Sequence, residues 1–227
     1  MTCATPPEDA SSDPAPDEGE EISPEARLED DSRQPEEAGT SRLFRIDPRL
    51  APGLYVVSTP IGNLRDITLR ALDILASVDV VCAEDTRVAG KLMSAFGLSA
   101  RLRPYHDHNG AQARPGLLKE LESGGRIALM SDAGTPLISD PGYKLVREAA
   151  ELGIPIYAIP GASAPLTALA SSGLPTDRFT FAGFPPPKSS ARKRFLTEMK
   201  SGQGTLIFFE GPSRLVASLT DMAEVFG

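Results

Sequence analysis

Several absences narrow the reading of this 227-residue chain before any motif is considered. It has two cysteines, Cys3 in a polar stretch and Cys82 inside an apolar run. They are poor partners for a disulfide, which points to a reducing compartment. No apolar run approaches the ~20 residues of a membrane span, and the N-terminus lacks the basic-then-apolar order of a secretory signal. We therefore expect a soluble, cytoplasmic protein. The only histidines are His106 and His108, and no His/Cys cluster has zinc spacing. An H-x-H pair without a third ligand is weak grounds for a metal. No G-x-G-x-x-G follows the first apolar run, no G-x-x-x-x-G-K-[ST] occurs, and no serine stands in a nucleophile elbow. Dinucleotide, P-loop and α/β-hydrolase chemistry thereby lose their usual signatures.

The charge is unevenly placed. The formal net charge is -8, yet residues 1–41 hold thirteen acidic residues against Arg27 and Arg33, leaving 18 acidic against 21 basic residues in 42–227. A mildly basic body is compatible with nucleic acid without demanding it. Residues 1–41 are rich in Pro, Glu, Asp and Ser, so composition predicts a disordered acidic tail, with a connector to residue 52.

From residue 53, short β-branched runs alternate with segments of helical period. Strands are expected at 54–58, 79–83, 127–131, 154–159 and 205–209. One helix should follow Asp66 with Leu69, Leu72, Leu75 and Ala76 inward. A second should carry Val88, Leu92, Ala95 and Phe96 and stop at Gly97. A third should start at Asp140-Pro141, bury Leu145, Ala149 and Leu152, and end at Gly153. A last one should run from near Pro212 to Phe226. This βαβα alternation predicts an α/β fold with a largely parallel sheet.

In such sheets ligands bind beyond the carboxyl ends of the strands. The segments there are Ser58-Thr-Pro-Ile-Gly-Asn-Leu-Arg-Asp66, Glu84-Asp-Thr-Arg87, Ser131-Asp-Ala-Gly-Thr-Pro-Leu-Ile-Ser-Asp-Pro-Gly142 and Pro160-Gly-Ala-Ser-Ala164. All are rich in Gly, Pro and small polar residues, which set tight turns and admit a ligand close to backbone. Any strand-to-helix turn favours such residues. Four turns together, two with acidic clusters, point to a site for a ligand held by backbone and small side chains.

These segments, with His106-Asp-His-Asn109 and Gly173-Leu-Pro-Thr-Asp-Arg-Phe179, carry a resemblance to the tetrapyrrole (corrin/porphyrin) methylase superfamily over residues 53–227. Within it, the chain most resembles the branch that methylates a ribose 2′-oxygen, as a cytidine-2′-O-methyltransferase of 16S ribosomal RNA. The resemblance implies two α/β domains, 53–162 and a partial 163–227, with S-adenosylmethionine in the cleft between them. It also implies a homodimer, no metal, and the small ribosomal subunit as partner. The family's second domain runs some tens of residues further, so it is expected to be truncated here. Cofactor positions carry over to Pro60, Ile61 and Gly62, to Ser131, Asp132, Ala133, Gly134 and Thr135, and to Pro160, Gly161, Ser163 and Ala164. Ser131-Asp132-Ala133 departs from the family's Gly-Asp-Pro form but keeps the acid.

A ribose hydroxyl is a weak nucleophile, so a base within reach helps. The candidates are Glu84, Asp85 and His106, with Arg87 placed to hold a substrate phosphate. A helix N-terminus with favourable acids and a local ion pair is the competing reading of Glu84–Arg87. His108 and Asn109 are candidate substrate contacts, or members of a closed turn. Lys188, Arg192, Lys193 and Arg194 read as a basic loop suited to an RNA backbone or as a solvated basic helix start, and the resemblance favours the RNA contact. A tetrapyrrole-precursor methylase and an inactive cofactor- or RNA-binding fragment are the alternatives.

Overall fold

The computed structural model describes residues 44–227. The acidic tail expected over 1–41 lies outside the described residues. Strands β1 (Gly53–Val57), β2 (Val80–Ala83), β3 (Leu102–Pro104), β4 (Arg126–Met130) and β5 (Ile156–Ile159) form one parallel sheet in the order β3-β2-β4-β1-β5. Helices α1 (Leu69–Ser77), α2 (Thr86–Ala95), α3 (Gly110–Glu122), α4 (Tyr143–Glu151) and α5 (Ala164–Ser172) connect or follow these strands. A second, two-stranded parallel sheet pairs β6 (Phe179–Phe181) with β7 (Thr205–Ile207), joined through α6 (Ser189–Met199) and followed by α7 (Leu215–Phe226).

β1 and β2 are buried along their whole length and β4 from Ile127 onward, as expected where helices cover both faces of a parallel sheet. Alternate residues serve opposite faces. Tyr55, Val57, Val81 and Met130 pack with Leu72 and Leu75 of α1 and Leu92 and Met93 of α2. Leu54, Val80, Ile127 and Leu129 pack with Leu117 and Leu121 of α3 and Leu145 and Ala149 of α4. Cys82 lies in this second layer, where burial pushes its thiol up to about 12. No described helix is long and apolar enough to cross a membrane.

Strand order decides where the site lies. β1 sends its crossover toward β2, whereas its neighbour β4 sends its crossover toward β5. The connections after two adjacent strands diverge, leaving a crevice at their carboxyl ends.

Several local expectations are corrected. Leu69 is 64% exposed and Val88 37% exposed, Ala95 is also exposed, and Ala71, Ala89 and Met93 take the inward positions instead. Helix α4 begins at Tyr143 behind Gly142 rather than at Pro141, and Leu152 lies past its end, half exposed. β7 is three residues long and only partly buried, because β6 is its one partner strand. Strands β3 and β6 and helices α3 and α5 were not anticipated, while α6 matches the helix start weighed for the basic segment. The strands are three residues each, and α3 carries Pro115 internally, which blurs its period.

Candidate functional site

Three connections meet at the crevice. Thr59 and Gly134 exchange backbone bonds, with Thr59 N–H donating to the Gly134 carbonyl at 2.8 Å and Gly134 N–H to the Thr59 carbonyl at 3.1 Å. Gly134 holds φ +85°, which a side chain would strain. The Thr59 hydroxyl, fully buried, donates to the Ser131 carbonyl at 3.1 Å. Ser58 Oγ lies 3.3 Å from Thr135 Oγ1, which lies 3.3 Å from the Ala162 carbonyl. A Cβ added to Gly161 would stand 2.7 Å from Ser58 Cβ, so the turns after β1 and β5 touch there only because residue 161 is glycine. The turns after β1, β4 and β5 are thus pinned to one another.

Between them lies a cavity of about 320 Å³. Of the twelve expected cofactor positions, Ile61, Ala133, Gly134, Thr135, Ser163 and Ala164 line it. Pro60, Gly62 and Asp132 line instead a neighbouring cavity of about 290 Å³ with Leu64 and Val88. Ser131 is buried, and its hydroxyl donates to the Gly134 carbonyl at 3.2 Å. Pro160 and Gly161 line none of the three cavities described here. The sequence reading missed Ile138, Ser139, Asp140, Pro165, Phe184 and Phe209 as cavity wall. Asp140 stood inside a quoted motif. Phe184 and Phe209 carry no local signal, since they arrive from the second sheet, their rings 5.5 Å apart.

An acidic rim borders the crevice. Partial burial, then the charges of Asp132, Asp140 and Asp107, push the Glu84 carboxyl above its ordinary value, with His106 acting against them. Asp85 is different. It caps α2 by accepting from Arg87 N–H at 2.8 Å, and it binds the Arg87 guanidinium at 2.6 Å. Those bonds hold its carboxyl down to about 2. Asp85 thus stands at the rim as a helix cap paired with Arg87. Arg87 is exposed and bonded to Asp85 at Nε and Nη2.

The turn before α3 is closed by Asn109, whose Oδ1 accepts from His106 N–H at 2.8 Å while its Nδ2 donates to the Pro104 carbonyl at 2.9 Å. The Asn109 side chain is therefore committed to the turn rather than offered to a substrate. His106 Nδ1 is buried without a partner, and the exposed His108 ring packs edge-on to it at 6.0 Å. His106 lines a third cavity of about 180 Å³. No described cluster of His, Cys, Asp or Glu is arranged to hold a metal.

The tetrapyrrole (corrin/porphyrin) methylase family matches residues 53–226, the whole of the body that carries these loops. The chain belongs to that family. Ribosomal RNA small subunit methyltransferase I of Mesorhizobium japonicum is 54% identical over 78% of this chain and 60% of its own length. The Vibrio cholerae protein of the same name is 53% identical over 79% of this chain and 62% of its own length. The chain thus spans about 60% of the length of these curated relatives. A cobalt precorrin-4 methyltransferase shares the fold at TM-score 0.58, with 16% identity over 76% of this chain and 74% of that one.

In this family member the basic segment opens a helix. Lys188 precedes α6, and Arg192 and Lys193 lie within the helix. Arg192 is 3% exposed: its Nε donates to Asp221 Oδ2 at 2.7 Å, and its Nη1 to the Pro187 carbonyl at 3.1 Å. The Arg192 guanidinium, expected at a substrate, ties α6 to α7. Lys193 is shared between Asp221 and Glu224. Lys188 and Arg194 are exposed and have no ion-pair partner among the described residues.

Proposed function

We propose that this chain binds S-adenosylmethionine and belongs to a methyltransferase acting on a ribose 2′-oxygen of 16S ribosomal RNA, in its closest form a cytidine-2′-O-methyltransferase. The observation that carries the reading is the cavity of about 320 Å³ around which three strand-end turns are bonded together. Its size falls at the low end of small-molecule sites, which run from ~300 Å³. The lining fits the group. Ile61, Ala133, Phe184 and Phe209 offer apolar surface, Thr135 and Ser163 offer hydroxyls, and Asp140 offers a carboxylate suited to a cationic donor. The names and the identity of the relatives support the ribosomal substrate.

When bound, S-adenosylmethionine supplies a methyl group already activated on a sulfonium, which asks for no metal. The chain's share is to align the acceptor with that group, and positioning alone contributes several kcal/mol. Under this reading Ile61, Ala133–Thr135, Ser163 and Ala164 hold the cofactor. Asp132 and Gly62 shape the adjoining cavity, and the pinned Thr59–Gly134 pair keeps the crevice from widening. Glu84 borders the crevice at the rim, and His106 lines the cavity beside it. Lys188 and Arg194 provide phosphate contacts on the second sheet's helix. Residues 53–162 act as the first domain and 163–227 as part of the second. The protein works in the cytoplasm as a homodimer.

The test has two stages. Calorimetry on the chain should show saturable S-adenosylmethionine binding. Labelled methyl should then pass to 16S ribosomal RNA in 30S subunits and not to a porphyrinogen. Transfer to the porphyrinogen would establish the tetrapyrrole reading instead, and no heat at high ligand concentration would favour an inert fragment.

A further inference from the structure

The donor cavity and the cavity beside His106 are separately walled, with one exception. Asp140 lines both. The cavity containing Pro60 and Asp132 shares no wall residue with either. Any group that must touch a donor in the first cavity and an acceptor in the other has Asp140 as its available side chain.

The approach to Asp140 is built for that position. Leu137 and Ser139 adopt φ +75° and +67°, conformations rare for residues with a side chain, and the Asp140 side chain is half-buried. The acceptor-side cavity is lined by Tyr105, His106, Arg114, Tyr143 and Lys144. Lys144 is exposed without an ion-pair partner among the described residues, and the Tyr143 ring is 65% exposed. Arg147 lies over the Tyr143 ring at 5.9 Å and Arg114 is paired with Glu148, so Lys144 is the cation offered to a phosphate, beside an exposed aromatic residue that can take a base. At about 180 Å³ the cavity suits one splayed-out nucleotide better than a duplex.

Resting on the methyl-transfer reading, we infer that Asp140 accepts the proton of the attacking hydroxyl and that the cavity beside it seats the acceptor nucleotide. The hydroxyl oxygen forms its bond to the methyl carbon as the carbon–sulfur bond breaks. That bond's electron pair stays on sulfur, and the hydroxyl proton passes to an Asp140 carboxylate oxygen and then to water. Burial, then the charge of Asp132, raises the Asp140 carboxyl above its ordinary value, while the Ser131 hydroxyl acts the other way. Such a shift improves a carboxylate as a base. The surrounding charges are Glu84 after β2, Asp132 after β4, Asp107 and His106 before α3, Arg114 on α3 and Lys144 on α4. Glu84 lines none of the three cavities, and Asp85 is held by Arg87.

The experiment compares wild type, Asp140→Asn and Asp140→Glu in the full chain. Calorimetry measures affinity for S-adenosylmethionine and for its neutral thioether product, S-adenosylhomocysteine. A carboxylate at the donor wall favours the cation, so Asp140→Asn should weaken S-adenosylmethionine by roughly tenfold and leave the thioether nearly unchanged. Asp140→Glu should retain the discrimination. Single-turnover transfer to 30S subunits should rise with pH in the wild type and lose that inflection in Asp140→Asn. Lys144→Ala should raise the concentration of 30S subunits needed for half-saturation while leaving both calorimetric affinities intact. If wild type binds neither ligand, the methyl-transfer reading itself fails. If it binds both and Asp140→Asn alters them equally, or keeps the wild-type pH profile, the role of Asp140 is overturned. An unchanged half-saturation in Lys144→Ala removes the acceptor cavity.

Discussion

Substituting alanine for Gly161 probes the joint on which the crevice depends. Its Cβ would lie 2.7 Å from Ser58 Cβ, with the Ser58 carbonyl oxygen and carbon at 3.5 and 3.7 Å. Carbon contacts are comfortable at ~3.5–4.0 Å, so the turns after β1 and β5 must part by roughly 1 Å. Overpacking of this kind costs about 1–3 kcal/mol. Loss of unfolded-state freedom offsets about 0.4–1 kcal/mol of that. The net expectation is a destabilisation of about 0–2.6 kcal/mol. The same movement stretches the Ser58 Oγ–Thr135 Oγ1 and Ser58 N–Ile159 O bonds, both already at 3.3 Å. Ser58→Gly removes the obstructing Cβ but loses the Thr135 bond, at about 1 kcal/mol. Urea unfolding of wild type, both single variants and the double variant closes a thermodynamic cycle. If the turns abut, the double variant should be more stable than the sum of its parts by about 1–2 kcal/mol. Additivity within ~0.5 kcal/mol would show that the turns are independent, and the pinned crevice would be wrong.

Thr59→Val keeps shape but deletes the donor to the Ser131 carbonyl. The buried acceptor left behind should lower stability by about 1–3 kcal/mol in chemical denaturation, and S-adenosylmethionine affinity should fall with it. In filter-binding of 16S ribosomal RNA across salt concentrations, Lys188→Ala with Arg194→Ala should flatten the log–log slope by ~1–2. Arg192→Ala should lower the unfolding midpoint instead, because its buried bonds to Asp221 and Pro187 have no substitute. Asp85, held at about 2, contributes cap stability that is complete above the ordinary value of 3.8 and disappears as pH falls through about 2. Arg87→Met should move that midpoint upward in carbon-13 titration of the carboxyl; an unmoved midpoint would show that the guanidinium does not hold it.

The parallel α/β class, four strands of the main sheet and the turns that carry the site were legible along the chain. Each is a local matter: a continuous apolar run, or a glycine or proline at a turn. Short pieces escaped because three residues hold too little period to register, as with β3 and β6. Helix faces erred by a residue or so, as at Leu69 and Val88, because which side of a helix is covered depends on the angle at which it meets the sheet.

Residue types and their spacing by themselves determined that Gly- and Pro-rich turns would follow parallel strands, and hence that a ligand site would lie at one edge. Tertiary structure alone decided which turns met. Placing β4 between β2 and β1 set the Ser131–Gly142 segment against Ser58 and Thr59, brought Asp140 to the boundary of two cavities, and sorted Asp132 from Ala133 into different ones. Packing of α6 on α7 took Arg192 out of water, while Arg194 stayed exposed. The physical reason is shared. Local conformation follows from neighbours along the chain, whereas burial, charge pairing and cavity walls come from residues far apart in sequence that strand order brings together.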